Sequence, residues 1–183
     1  MSRQLPNSGR PIAPLKFAHF VLRTRKMEEL KNWYMTVLGA HVAFENPMIA
    51  FLTYDDEHHR IALVNNPNWA ERAEGSVGTD HVAYTFASLG DLLATYRRLK
   101  AAGIEPAWCV NHGPTTSMYY RDPEGNRVEF QVDNFDSVEL LNGWFRSGAF
   151  AKNPIGTNFD PERLIARFEN GDSIAELMQQ GSA

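Results

Sequence analysis

An internal repeat constrains this chain more than any other feature. The run FAHFVLRT (17–24) is rich in β-formers and apolar on both faces, which predicts a strand covered on each side. Met27, Leu30, Tyr34, Val37 and Leu38 follow at helical spacing, and Gly39 supplies a residue free to close the helix at positive φ. Three short β-type runs come next, HVAFE (41–45), IAFLTY (49–54) and RIALVN (60–65), parted by Asn-Pro and Asp-Asp-Glu breaks. The same order then returns. HVAYTF (81–86) predicts a strand, and residues 88–103 predict a helix with Ser88 as N-cap and Gly103 as stop. PAWCV (106–110), TSMYY (116–120) and RVEFQV (127–132) are again β-type, with Asp-Pro-Glu-Gly at 122–125 as a turn between the last two. The offset from His19 to His81 is 62 residues (81 − 19), and Leu30/Tyr34 and Leu92/Tyr96 fall 11 and 15 residues after their own histidine.

The expected fold is therefore α+β: two tandem βαβββ modules, 15–66 and 79–135, forming one domain over 15–135. Residues 1–14, with three prolines, predict a flexible arm. Residues 136–183 predict a helical C-terminal extension. In it a loop leads to a helix capped by Asp160 with Pro161 at its first position and Gly171 as stop, followed by the short helix SIAELMQQ.

Composition excludes several classes of function. With 22 acidic against 18 basic residues and a net charge of −4, the chain has no basic stripe for a nucleic-acid backbone. No apolar run approaches the roughly 18–20 residues that cross a bilayer, and the N-terminus lacks the apolar stretch of a signal peptide. A lone cysteine, Cys109, leaves neither a disulfide framework nor a cysteine-based zinc site. A cytoplasmic location is expected, without nucleic-acid or membrane partners.

The chemistry concentrates at three positions. His19 and His81 occupy equivalent places in the first strand of each module. Strand alternation puts Glu129 on one face with Arg127 and Gln131, while Val128, Phe130 and Val132 face the core. Taken singly, each has a plain explanation in packing or solvation. Together, two histidines and one carboxylate on converging strands suit the facial triad of a non-haem Fe(II) site, although such N/N/O ligation also accepts Mn(II). Aligning RIAL (60–63) with RVEF (127–130) sets Ala62 opposite Glu129, so the repeat supplies no fourth ligand and leaves positions open for substrate and a small molecule such as dioxygen. His41 and His58 read as solvated loop residues. Cys109 and Trp108 read as packing, with Trp108 a possible pocket wall.

The segments AHFVLRT, HHRIAL, TDHVAYTF and HGPTTSMYYRDPEGNRVEF, over roughly Lys16 to Asp133, resemble the vicinal-oxygen-chelate superfamily. Within it they are most similar to extradiol catechol dioxygenases of the compact, single-domain kind, the biphenyl-2,3-diol 1,2-dioxygenase type. The resemblance implies a curled glyoxalase-like fold around a metal, with His19, His81 and Glu129 as iron ligands. It implies His59 as the acid–base histidine over the oxygen site, His112 as the histidine near the substrate hydroxyl, and Tyr119 as the active-site tyrosine. Alternation sends His59 and Ala62 to opposite sheet faces, so His59 is expected in the loop end or beside a bulge. Catechol deprotonation and later protonation suit histidine and tyrosine.

The expected activity is oxygen-dependent opening of a catechol ring beside its diol, with catechol and O2 as small-molecule partners. Phe51, Trp108 and Phe135 hint at a bulky aryl substituent. Two other functions share the fold: a glyoxalase-type metal lyase or thiol transferase, and a metal-free sequestering protein of the bleomycin-resistance kind. Ala62 argues against the first, and the set of ligand and acid–base residues against the second. Relatives of this fold commonly assemble, so a homo-oligomer is expected by analogy.

Overall fold

A computed structural model describes Gly9, residues 11–73 and residues 75–183. Most of the N-terminal arm expected over 1–14 lies outside the described residues. The first module comprises β1 (Phe20–Thr24), α1 (Met27–Leu38), β2 (His41–Asn46), β3 (Ile49–Thr53) and β4 (Ile61–Asn65). The second repeats it as β5 (His81–Thr85), α2 (Leu89–Ala101), β6 (Trp108–Asn111), β7 (Thr115–Arg121) and β8 (Arg127–Asp133).

Local signals account for most boundaries. Gly39 ends α1 in the left-handed conformation (φ 64°). The Ser88 side chain accepts from the Asp91 N–H and so caps α2. At the 122–125 turn, the Asp122 carboxylate accepts from the Glu124 N–H (2.9 Å) and the Asn126 N–H (2.8 Å), while Gly125 takes φ 81°.

The α+β pairing of βαβββ modules is the architecture the repeat predicts. Its strands form two mixed sheets, ordered β1-β4-β3-β2 and β5-β8-β7-β6 with one further strand. In each module the first and last strands pair in parallel, and the others pair antiparallel. Among the described residues no backbone ladder joins β1 to β5. A groove of about 260 Å³ separates their edges, lined in part by Tyr34, Arg72, His81 and Asn126.

One face of each sheet is covered by its helix. Ala50, Leu52, Ile61 and Leu63 join Leu30, Tyr34 and Val37 of α1, and Met118, Tyr120, Val128, Phe130 and Val132 join Leu92, Leu93, Tyr96 and Leu99 of α2, in a single buried cluster. Alternation therefore turns Ala62, Glu129 and Tyr119 to the other face.

The modules are also tied by polar contacts. Arg98 of α2 donates to the Thr36 and Val37 carbonyls at the end of α1 (2.6 and 3.0 Å). Glu124 reaches from the second module to the start of α1, accepting from the Thr24 hydroxyl (2.8 Å), the Arg25 N–H (2.7 Å) and the Lys26 N–H (3.2 Å).

The extension contains more than the two helices expected. α3 (Val138–Arg146) and α4 (Ala149–Lys152) fill what the sequence leaves as a loop, and β9 (Thr157–Asn158) pairs with β6 at the edge of the second sheet. α5 (Pro161–Glu169) is capped by Asp160 as expected and buries Leu164 and Ile165, and α6 (Ile174–Leu177) buries Leu177. The Tyr96 hydroxyl donates to Glu162 (2.8 Å), fixing α5 against α2.

Candidate metal centre and active site

The open face of the second sheet carries the densest group of reactive side chains. Backbone register sets Ala83, Glu129, Tyr119 and Trp108 in one row across β5, β8, β7 and β6. Glu129 is only 4% exposed, so its carboxylate needs a partner. His81, two residues before Ala83, supplies one, with Nε2 2.9 Å from Glu129 Oε2. On its other side, His81 Nδ1 lies 2.7 Å from the Asp80 carboxylate, whose own titration the His81 hydrogen bond and Arg127 hold below the usual range. A carboxylate only accepts, so each ring nitrogen presents an N–H to its own carboxylate, Nδ1 to Asp80 and Nε2 to Glu129.

Tyr119 and Trp108 lie beside this pair. Their rings stack 4.9 Å apart, the Arg127 guanidinium sits 4.7 Å from the Tyr119 ring centroid, and the His81 ring meets Tyr119 edge-on at 5.3 Å. The Tyr119 hydroxyl lies 3.0 Å from His112 Nε2. Burial, with the neighbouring Glu129 carboxylate, pushes the Tyr119 phenol above its ordinary value, so it is held as a donor.

The first module places a separate histidine group. His19 lies just before β1 and is exposed, with its ring 4.2 Å from that of His59 and 6.2 Å from that of His58. His59 precedes β4 in the loop, as the alternation argument requires. Its ring stacks on Phe51 at 4.2 Å and 8°, leaving the residue 8% exposed. Burial and the nearby His19 and His58 push the His59 imidazole below its ordinary value.

The structure thus gathers His81, Glu129, Tyr119 and His112 in one place and His19 with His59 in another. Among the described residues no group of three His, Cys, Asp or Glu side chains is placed to hold a metal ion. Two of the three expected ligands meet, and His19 stands apart from them. The meeting pair fits a divalent cation: a buried carboxylate faces an imidazole nitrogen whose opposite nitrogen is fixed by Asp80, and the proton between them occupies the position of a charge a cation would replace.

Register supports the equivalence of the two histidines. Val21 pairs with Ala62 as Ala83 pairs with Glu129, and each histidine lies two residues before the first member of its pair. Three contributors escaped the sequence reading as site residues: Asp80, Arg127 and Asn158, which accepts from Trp108 Nε1 at 2.8 Å. Asp80 adjoins His81, and Arg127 shares the Glu129 strand face, so both carried a signal; Asn158 carried none. Phe135, one of the three aromatics taken as a hint of a bulky substituent, packs 5.8 Å from Trp144.

Comparison with known proteins identifies the family. The Glyoxalase/Bleomycin resistance protein/Dioxygenase superfamily model matches residues 16–130. The chain belongs to this superfamily. It is 48% identical over 163 residues to biphenyl-2,3-diol 1,2-dioxygenase 2 of Rhodococcus globerulus, covering 88% of this chain and 86% of that one. It is 45% identical over 164 residues to biphenyl-2,3-diol 1,2-dioxygenase 3 of the same organism, with the same coverage. A superfamily crystal structure from Frankia sp. EAN1pec superposes with a TM-score of 0.57 at 17% identity, over 68% of this chain and 96% of that one, which shows the shared fold. No helix of the described residues is long and apolar enough to cross a membrane.

Proposed function

We propose that this protein is an extradiol ring-cleaving dioxygenase that opens an aryl-substituted catechol such as 2,3-dihydroxybiphenyl with O2. The observation that carries the reading is the His81–Glu129 pair, set on one sheet face beside the Tyr119–His112 pair. The kinship with biphenyl-2,3-diol 1,2-dioxygenases supports the substrate class.

In this reading His81 and Glu129 would hold the metal, with Fe(II) as the preferred ion, and His19, equivalent in register though apart from them in this structure, would move in as the third ligand. Bound there, the metal would act as a Lewis acid that makes the catechol more acidic and brings it together with dioxygen. The remaining work falls to the chain. The stacked Tyr119 and Trp108 rings, with Arg127 beside them, receive the planar aromatic ring of the substrate. His59, held neutral by its buried stack on Phe51, takes a proton from the diol and returns it as the ring opens. The Tyr119 hydroxyl stays protonated; in the free site its one O–H is given to His112 Nε2, which holds the phenol in place, and with substrate bound that proton turns to the negative charge developing on the substrate oxygens. Both atoms of O2 enter the product, and one carbon–carbon bond beside the diol is broken. The reading also includes a cytoplasmic location and a homo-oligomeric state.

Anaerobic purification with Fe(II), then mixing with air-saturated 2,3-dihydroxybiphenyl or simple catechols, tests the reading. A yellow ring-fission product that requires iron, O2 and His81 is the expected result, with His81→Ala as control. Iron-loaded protein that colours no catechol would overturn it.

A further inference from the structure

The segment 153–158 lies outside both modules yet touches the active face through its backbone. His112 Nδ1 lies 2.5 Å from the Ile155 carbonyl oxygen, and its Nε2 lies 3.0 Å from the Tyr119 hydroxyl. A carbonyl oxygen has no proton to give, so Nδ1 must be the donor. In the neutral ring that leaves Nε2 as an acceptor, and the Tyr119 hydroxyl donates to it. Without the Ile155 carbonyl, the imidazole would be free to carry its proton on Nε2 and to compete with Tyr119 as donor.

The approach is built into the backbone. Gly156 has φ 102°, and a Cβ there would fall on the Asn111 carbonyl oxygen and within 2.7 Å of His112 Cα. Only glycine lets the two chains run this close. Asn153 holds the bend, accepting from the Gly156 N–H (3.1 Å) and donating to the Thr157 hydroxyl (3.2 Å). Thr157 and Asn158 then pair with Asn111 and Val110 as β9, and Asn158 fixes the Trp108 indole that stacks on Tyr119.

We infer that segment 153–158 is a positioning element for ring opening: its Ile155 carbonyl selects the Nδ1–H tautomer of His112, and Asn153 holds that carbonyl in place. The role in turnover rests on the proposed dioxygenase reading; the tautomer itself does not.

Long-range 1H–15N correlation on the full chain, 15N-labelled at histidine and stripped of metal by chelator, reads the tautomer without substrate. His112 is assigned by its loss in His112→Gln. The expected spectrum places its proton on Nδ1. In Asn153→Ala the His112 signals should move toward a mixture of tautomers, and kcat of the Fe(II)-loaded protein on 2,3-dihydroxybiphenyl should fall about tenfold with KM little changed. Asn153→Asp keeps an acceptor for the Gly156 N–H and should restore both. Gly156→Ala should displace the carbonyl and give the same spectral change, and Asn153→Ala carries the test if that variant does not fold. A proton on Nε2 in the parent, or a Nδ1–H tautomer unmoved in folded Asn153→Ala, would overturn the inference. The expected spectra in a parent that turns over no catechol would overturn the dioxygenase reading and the role in turnover, while the tautomer assignment stood.

Discussion

Ala62 and Glu129 occupy the same register position in the two modules, each turned to the face opposite the helix layer. Ala62 pairs with Val21 and Phe51, and Glu129 with Ala83 and Tyr119. Both are almost fully buried, at 3% and 4% exposure. The duplication therefore repeats the backbone but not the chemistry. The second module keeps a carboxylate, an orienting acid and a phenol around His81, while the first offers apolar side chains and the His19–His59 group.

Ala62→Glu should cost stability without creating a second ligand. The new carboxylate would sit beside Val21 and Phe51 with no cation of its own, a burial costing roughly 3 kcal/mol. Urea unfolding of the variant beside the parent measures this, and a variant as stable as the parent would mean that this face is wetter than its packing indicates.

Asp80→Asn should weaken metal binding although Asp80 is not a ligand in the proposed site. The carboxylate holds His81 Nδ1–H at 2.7 Å and so keeps Nε2 turned to Glu129. Loss of such an orienting acid typically lowers metal affinity or activity about 10–100-fold. Competitive titration of the apoprotein with a chromophoric chelator reads the affinity directly, and equal affinities in parent and variant would count against metal binding at His81.

Tyr119→Phe and His112→Gln should fail together rather than separately. The hydroxyl and Nε2 share one hydrogen bond of 3.0 Å, so each single change should lower kcat by about a hundredfold and the double change by little more. Steady-state kinetics on the three variants closes the cycle. Multiplying losses would show that the two residues act independently.

Much of the fold was legible because its signals are local. Helical spacing, the Gly39 stop, the Ser88 and Asp160 caps and the 122–125 turn each rest on residues near one another in sequence. α3 was missed because it buries nothing: Val138, Leu140 and Phe145 remain exposed, so its apolar positions do not mark a core face. β9, two residues long, is too short for any period to show. The split between β1 and β5 depends on edges far apart in sequence, which periodicity cannot see. Of the site, His81 and Glu129 were readable from residue type, the repeat and strand alternation, whereas Tyr119 and His112 came with the family resemblance. The Ile155 carbonyl was not, because a main-chain acceptor leaves no trace in residue identity.

Glu124 links folding to pH in a way that one substitution isolates. α1 begins at Met27 without a capping side chain from Lys26, and the residues that lead into it are held from the second module by Glu124. Burial alone would raise the Glu124 carboxyl, but the Arg25 N–H, the Thr24 hydroxyl and the Arg25 charge outweigh it and hold the group below its ordinary value of 4.5. A carboxylate depressed by folding contributes stability that is fully present above the unfolded value. That contribution is lost as pH falls through the folded one. Glu124→Gln keeps an oxygen acceptor and removes the charge, so it should lower unfolding free energy by about 1 kcal/mol at neutral pH. The gap to the parent should close as pH drops below 4.5 toward acid. Urea melts of both proteins across that range provide the measurement. A gap that stays constant with pH would show that the contacts at the α1 start, rather than the carboxylate charge, tie the two modules.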